Sequence, residues 1–181
     1  AKFASSVAGF YNKKHVMSEI SNAFDYDHSS LIKNEAGING RMASVGVQFA
    51  YGVDHFNSYY VHNQMTDAEN RQLTDYIARV GYLLGQGKRV PKVALFYPIE
   101  SIWENTFPSL TLNPQGFNPE AVKMSENVKE IALKLVENQV DFDYMGTEQL
   151  LQTTISGHKM VTPSGGEFTT LILPISTKPD P

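Results

Sequence analysis

The stretch DYIARVGYLLGQGKRVPKVALFYP, residues 75–98, changes its apolar rhythm partway along, and that change sets the reading of the whole chain. Its first half continues a pattern that begins at Thr66. Leu73, Ile77, Val80 and Leu84 recur at 4-3-4 spacing, which puts them on one face of an α-helix. Thr66 and Glu69 occupy the two positions of a capping box, where a hydroxyl and a carboxylate each satisfy a backbone N–H that the first helical turn leaves unpaired. Gly87 is the expected left-handed stop. Residues 92–97 (KVALFY) then run almost unbroken in apolar side chains, the signature of a strand covered on both faces.

Downstream the alternation continues. Asn118 is placed to cap a helix that opens on Pro119, and Met124, Val128, Ile131 and Leu135 form its apolar stripe as far as about Asn138. Strand-like runs follow at 140–144 and 169–174, with a short helix from Thr147 and a hairpin-like turn at Pro163, Ser164, Gly165 and Gly166 between them. This order opens a doubly wound α/β domain. Upstream, helix-like stretches at 3–11 and 40–51 alternate with strand-like ones at 15–19 and 55–62, the rhythm of consecutive βα units. Two such units cannot close a barrel. The expected division is therefore residues 1–88 and residues 89–181, with the boundary near 87–91, where a helix stop meets a basic turn.

Composition narrows the function classes. The 181 residues are 41% hydrophobic and 19% charged, with a formal net charge of −4, enough apolar material for a sizeable core. No apolar run approaches the ~18–20 residues of a membrane span. Basic residues occur as pairs such as Lys13-Lys14 and Lys88-Arg89 rather than as a patch, so nucleic acid is not an expected partner. The absence of cysteine excludes disulfides, thiolate metal sites and a cysteine nucleophile, and leaves the compartment open. Both ends read as cut: the chain begins Ala1-Lys2-Phe3 and stops directly after a strand-like run.

Glu19 ends a short apolar run where the chain turns polar. A carboxylate at the C-terminal end of a barrel strand projects into the active-site face, and glycoside hydrolysis needs two such groups flanking the scissile bond. A solvated loop or cap glutamate is the competing reading. Tyr60, His62 and Asn63 crowd the end of the next strand-like run, beside Tyr59 and Gln64; aromatic faces suit the C–H faces of sugars, and His, Asn and Gln bond hydroxyls. Equally, Phe56, Ser58, Tyr60 and His62 alternate as one packed strand face would. Asp25, Asp27, His28, Asp54 and His55 include metal-ligating types, yet at no diagnostic spacing, so no protein-bound metal is expected; the hard oxygen ligands of the 25–28 loop would suit Ca²⁺ better than Zn²⁺. Trp103, between Glu100 and Glu104, follows the first strand of the second half, where doubly wound folds place ligands. The Pro98-Ile99-Glu100-Ser101 loop has no glycine cluster for a phosphate, and no Gly-x-Ser-x-Gly elbow occurs.

Residues 75–98 also resemble a junction found in multidomain bacterial glycosidases, where the last barrel helix passes through LL-x-QG-x-x-V into a VA-x-x-YP strand. The likeness extends to Asp141-Phe142-Asp143-Tyr144 and to Gly166-Glu167-Phe168-Thr169-Thr170-Leu171-Ile172-Leu173-Pro174. The families resembled are the α-L-rhamnosidase-like hydrolases and, next, β-galactosidases whose barrel is followed by an amidotransferase-like domain. The resemblance implies an α/β fold made of the last βα units of a (β/α)8 barrel and a partial doubly wound, flavodoxin- or amidotransferase-like domain. It implies that Glu19 ends the seventh barrel strand and that His62 ends the eighth. Glu19 is then one catalytic carboxylate, nucleophile in a retaining enzyme or water-activating base in an inverting one, with His62, Tyr60, Asn63 and Trp103 as sugar contacts. The expected substrate is a plant or microbial polysaccharide or oligosaccharide, and the expected partner is the remainder of the parent polypeptide, with self-association open. The chain itself needs no cofactor, although the resemblance carries calcium assistance for the parent. A periplasmic or extracellular setting suits such a parent. The alternative is a non-catalytic carbohydrate-binding or subunit-contact module.

Overall fold

The computed structural model describes residues 1–20, 37–58, 65–106 and 118–176. They form a mixed α/β protein with small parallel and antiparallel sheets, divided into two compact units: residues 1–8 with 13–89, and residues 9–12 with 90–181. No barrel is closed among the described residues. No described helix is long and apolar enough to cross a membrane.

The first unit contains most of α1 (Lys2–Phe10), then β1 (Met17–Ile20), α2 (Gly37–Ala50), β2 (His55–Ser58) and α3 (Asp67–Leu84). β1 and β2 pair in parallel, Met17 opposite His55, Glu19 opposite Asn57 and Ile20 opposite Ser58. One face of the pair is covered by helices: Ile20 is buried with Val45 and Phe49 of α2 and Leu73 of α3, and Phe56, Tyr76, Ile77 and Val80 pack around them. Each large side chain so buried contributes about 1.5–3 kcal/mol. Gly46 permits the close approach of α2 to α3, since a Cβ there would lie 2.8 Å from the Tyr76 hydroxyl. Gly52, at φ 92°, turns the chain after α2 in a conformation that L side chains avoid, with Arg89 packed against it.

Helix α3 starts as its sequence implies. Thr66 Oγ1 accepts from the Glu69 N–H at 3.2 Å, and a Glu69 carboxylate oxygen accepts from the Thr66 N–H at 2.8 Å. Its end differs from the expectation. The helix stops at Leu84, Gly85 keeps a right-handed φ of −65°, and Gly87 is not left-handed. The Gln86 and Gly87 N–H groups bond back to Leu83 and Leu84, so tight turns satisfy the terminal carbonyls without a left-handed residue.

The second unit contains β3 (Val93–Phe96), α4 (Ile99–Glu104), α5 (Pro119–Glu137), β4 (Phe142–Met145), α6 (Thr147–Leu151), β5 (Thr154–Ser156), β6 (Lys159–Val161), β7 (Glu167–Phe168) and β8 (Thr170–Ile172). β3 lies between β4 and β8, parallel to both. Taken as first, second and third strands, these give the 2-1-3 order with which one class of doubly wound sheet begins. Val93 and Leu95 face α5, packing with Phe142, Val128, Ile131 and Leu135, while Ala94 on the opposite face packs with Phe10, Met145 and Phe168. Asn118 Oδ1 caps α5 by accepting the Glu120 N–H, with Pro119 at the first helical position. β5, β6 and β7 form a separate antiparallel sheet, and the turn between β6 and β7 relies on Gly165 at φ 82°.

Candidate functional site

Burial along β1 follows the two-residue period of a strand, and in β2 Phe56 is the residue that is not exposed. Ile20 and Phe56 go toward the helices, whereas Met17, Glu19, His55 and Asn57 are exposed. These four therefore share the face that no described helix covers, as register pairs Met17 with His55 and Glu19 with Asn57. Neighbouring strands lie about 4.8 Å apart, so Glu19 and Asn57 are cross-strand neighbours near the strands' C-terminal ends. Among the described residues nothing hydrogen-bonds or ion-pairs the Glu19 carboxylate, whose oxygens can accept from a hydroxyl. The carboxamide beside it both donates and accepts, the capacity that orienting a sugar hydroxyl requires.

Tyr60, His62 and Asn63 lie outside the described residues, as do Asp25, Asp27 and His28. Phe56 goes to the core, its ring 4.9 Å from that of Phe49, so the aromatic at the start of this run serves packing rather than ligand contact. Asn57 was missed by the sequence reading. Its signal was the alternation itself, since a polar residue at every second position of a parallel strand marks a face that is not core.

Trp103 sits in the second unit on α4, 67% exposed, while its neighbour Ile102 is buried against Ala121 and Met124. Glu100 of the same helix accepts a hydrogen bond from Thr147 Oγ1 at 3.2 Å, linking the segments that follow β3 and β4. Trp103 thus stands beyond the carboxyl ends of the parallel strands, the side on which such sheets bind ligands.

At the opposite, N-terminal ends of β1 and β2 the chain forms a polar cluster. Asp54 Oδ1 accepts the Val16 N–H at 2.8 Å and meets His55 Nδ1 at 3.0 Å; Asp54 Oδ2 meets His15 Nδ1 at 3.0 Å. The two imidazoles touch edge to face, with centroids 4.4 Å apart. Partial burial pushes the Asp54 carboxyl up, but hydrogen bonds from His55, the Val16 N–H and His15, with the nearby His55 charge, outweigh it and hold the group below its ordinary range. His15 stands 39 residues before Asp54, so only the parallel pairing of the strands brings the three together.

No family model matches this sequence, and no curated protein matches it. The fold is similar to that of a rhamnosidase from Novosphingobium sp. PP1Y, with a TM-score of 0.54 and 20% identity over 95% of this chain. The chain spans 16% of that protein's length, and at this identity the likeness speaks for the fold alone.

Proposed function

We infer that this chain is a portion of a glycoside hydrolase, in which residues 1–88 form the last βα units of a (β/α)8 barrel and residues 89–181 the opening of a doubly wound domain. One observation carries the reading: a parallel strand pair, helix-covered on one face, presents Glu19 beside Asn57 on the other. Parallel sheets occur almost only with both faces covered, and in a barrel the inner face is filled by residues of the remaining strands. The rhamnosidase-like fold supports the same assignment. Glu19 is one of two catalytic carboxylates, and its partner comes from another strand of the parent. A separation of about 5–5.5 Å makes Glu19 a nucleophile, and about 6.5–9.5 Å makes it a base that activates water. Asn57 joins Tyr60, His62 and Asn63 as a sugar contact.

Holding one of the two catalytic carboxylates, the isolated chain is expected to leave a panel of aryl glycosides, aryl α-L-rhamnoside included, unhydrolysed, while the longer parent cleaves at least one. Turnover by the isolated chain at a rate near the parent's would contradict the assignment. The exposed Trp103 favours a second reading, a non-catalytic carbohydrate-binding or subunit-contact module. Under it, Trp103→Ala abolishes retention on immobilised polysaccharide while Glu19→Gln leaves it intact.

A further inference from the structure

We propose that His15, Asp54 and His55 form a binding site for a divalent transition-metal ion of the Zn²⁺ class at the N-terminal ends of β1 and β2. One ligand atom from each of the three lies within 4.8 Å of the other two, and both imidazole Nδ1 atoms stand 3.0 Å from an Asp54 oxygen. Tetrahedral ligands with bonds of about 2.0 Å sit ~3.3 Å apart, so rotation of two half-exposed imidazoles closes the set around an ion. The scaffold is already fixed. Val16 N–H holds Asp54 Oδ1, and the Val16 carbonyl accepts the N–H groups of both Asp54 and His55, which locks the two strand starts in register. That leaves Asp54 Oδ2 as the metal-facing oxygen, with the Val16 amide as the outer-shell support that ligating carboxylates require.

Two nitrogens and one oxygen select Zn²⁺, Co²⁺, Ni²⁺ or Cu²⁺ over Ca²⁺, which takes oxygen ligands in greater number. On binding, each imidazole places its proton on Nε2, and the metal replaces the Nδ1 hydrogen bonds to Asp54. Three protein ligands leave at least one position for water. The ion would strap β1 to β2 at the strand ends away from Glu19, and the proposal does not rest on the hydrolase reading.

Isothermal titration of the 181-residue chain with Zn²⁺ at neutral pH tests the site, with circular dichroism confirming that each variant is folded. One equivalent is expected to bind saturably, and the thermal midpoint to rise with Zn²⁺ and fall back when EDTA is added. His15→Ala and His55→Ala should each weaken uptake at least ~10-fold, the lower end of what loss of a mere supporting partner costs a metal site. His158→Ala, at the exposed β5–β6 turn, should not change it. Asp54→Asn keeps an oxygen to accept the Val16 N–H but loses the carboxylate charge, so it should weaken uptake as the histidine variants do. Absence of saturable uptake, or equal uptake by wild type and the His15 and His55 variants, overturns the proposal.

Discussion

The two units solve the same problem differently. In the second, β3 is buried on both faces, by α5 on one and by Phe10 and Phe168 on the other, and its sequence VALF has no polar position. In the first, β1 (MSEI) and β2 (HFNS) are covered on one face among the described residues, with Ile20 and Phe56 on that face and Met17, Glu19, His55 and Asn57 on the other. The difference separates stability from chemistry. A strand buried twice has no side chain left to spend on a ligand, whereas a strand buried once presents Glu19, Asn57 and His55 at every second residue. The candidate catalytic group lies in the half-covered unit, whereas the second unit holds Asp143 buried within β4 and places Glu100 and Trp103 on the helix that follows β3.

The largest effects should come from the two cores. Phe49→Ala and Phe142→Ala, each truncating a buried ring, are expected to cost about 3–5 kcal/mol apiece in denaturant unfolding. A loss below about 1 kcal/mol for Phe49→Ala would break the comparison, because the first unit would then have no consolidated core without further strands. Gly52→Ala comes next, at about 1–3 kcal/mol, since it forces a side chain into a positive φ and against Arg89. Thr66→Ala should cost about 1 kcal/mol by removing a helix cap.

The same cap predicts an acid dependence. The Thr66 N–H, and after it the Thr66 hydroxyl, hold the Glu69 carboxyl below its ordinary 4.5. Its contribution is therefore complete above that value and is lost as pH falls through the lower folded-state value. Glu69→Gln should flatten this loss, as read by helical circular dichroism on acid titration. Smallest of all, Asn57→Ala and Met17→Ala on the open face should change stability by less than about 0.5 kcal/mol. Stability losses there as large as those in the core would show that the face is not free for a ligand.

Much of this organisation was legible in residue spacing. The Thr66–Glu69 box, the Asn118-Pro119 start and the stripe Met124, Val128, Ile131, Leu135 each rest on local geometry, which sequence encodes directly. The stop of α3 was not, because backbone N–H groups and the Gln86 side chain, which donates to the Tyr82 carbonyl, satisfy its last carbonyls without a left-handed glycine. The pairing of Glu19 with Asn57 and the meeting of His15 with Asp54 and His55 depend on which strands become neighbours and in what register. Such contacts span tens of residues and leave no periodic trace. Phe56 shows the converse: an aromatic residue in a polar-looking run was assigned by its burial beside Phe49, not by its chemistry.

The central claim, that the uncovered face of β1 and β2 is a catalytic face, is tested most directly by Glu19→Gln in the full-length parent. The substitution removes the charge and keeps the shape at an exposed position, so the thermal midpoint should not move. Turnover of the parent's glycoside substrate should fall on the order of 10²–10⁴-fold or more. Unchanged turnover in a folded Glu19→Gln enzyme would contradict the account.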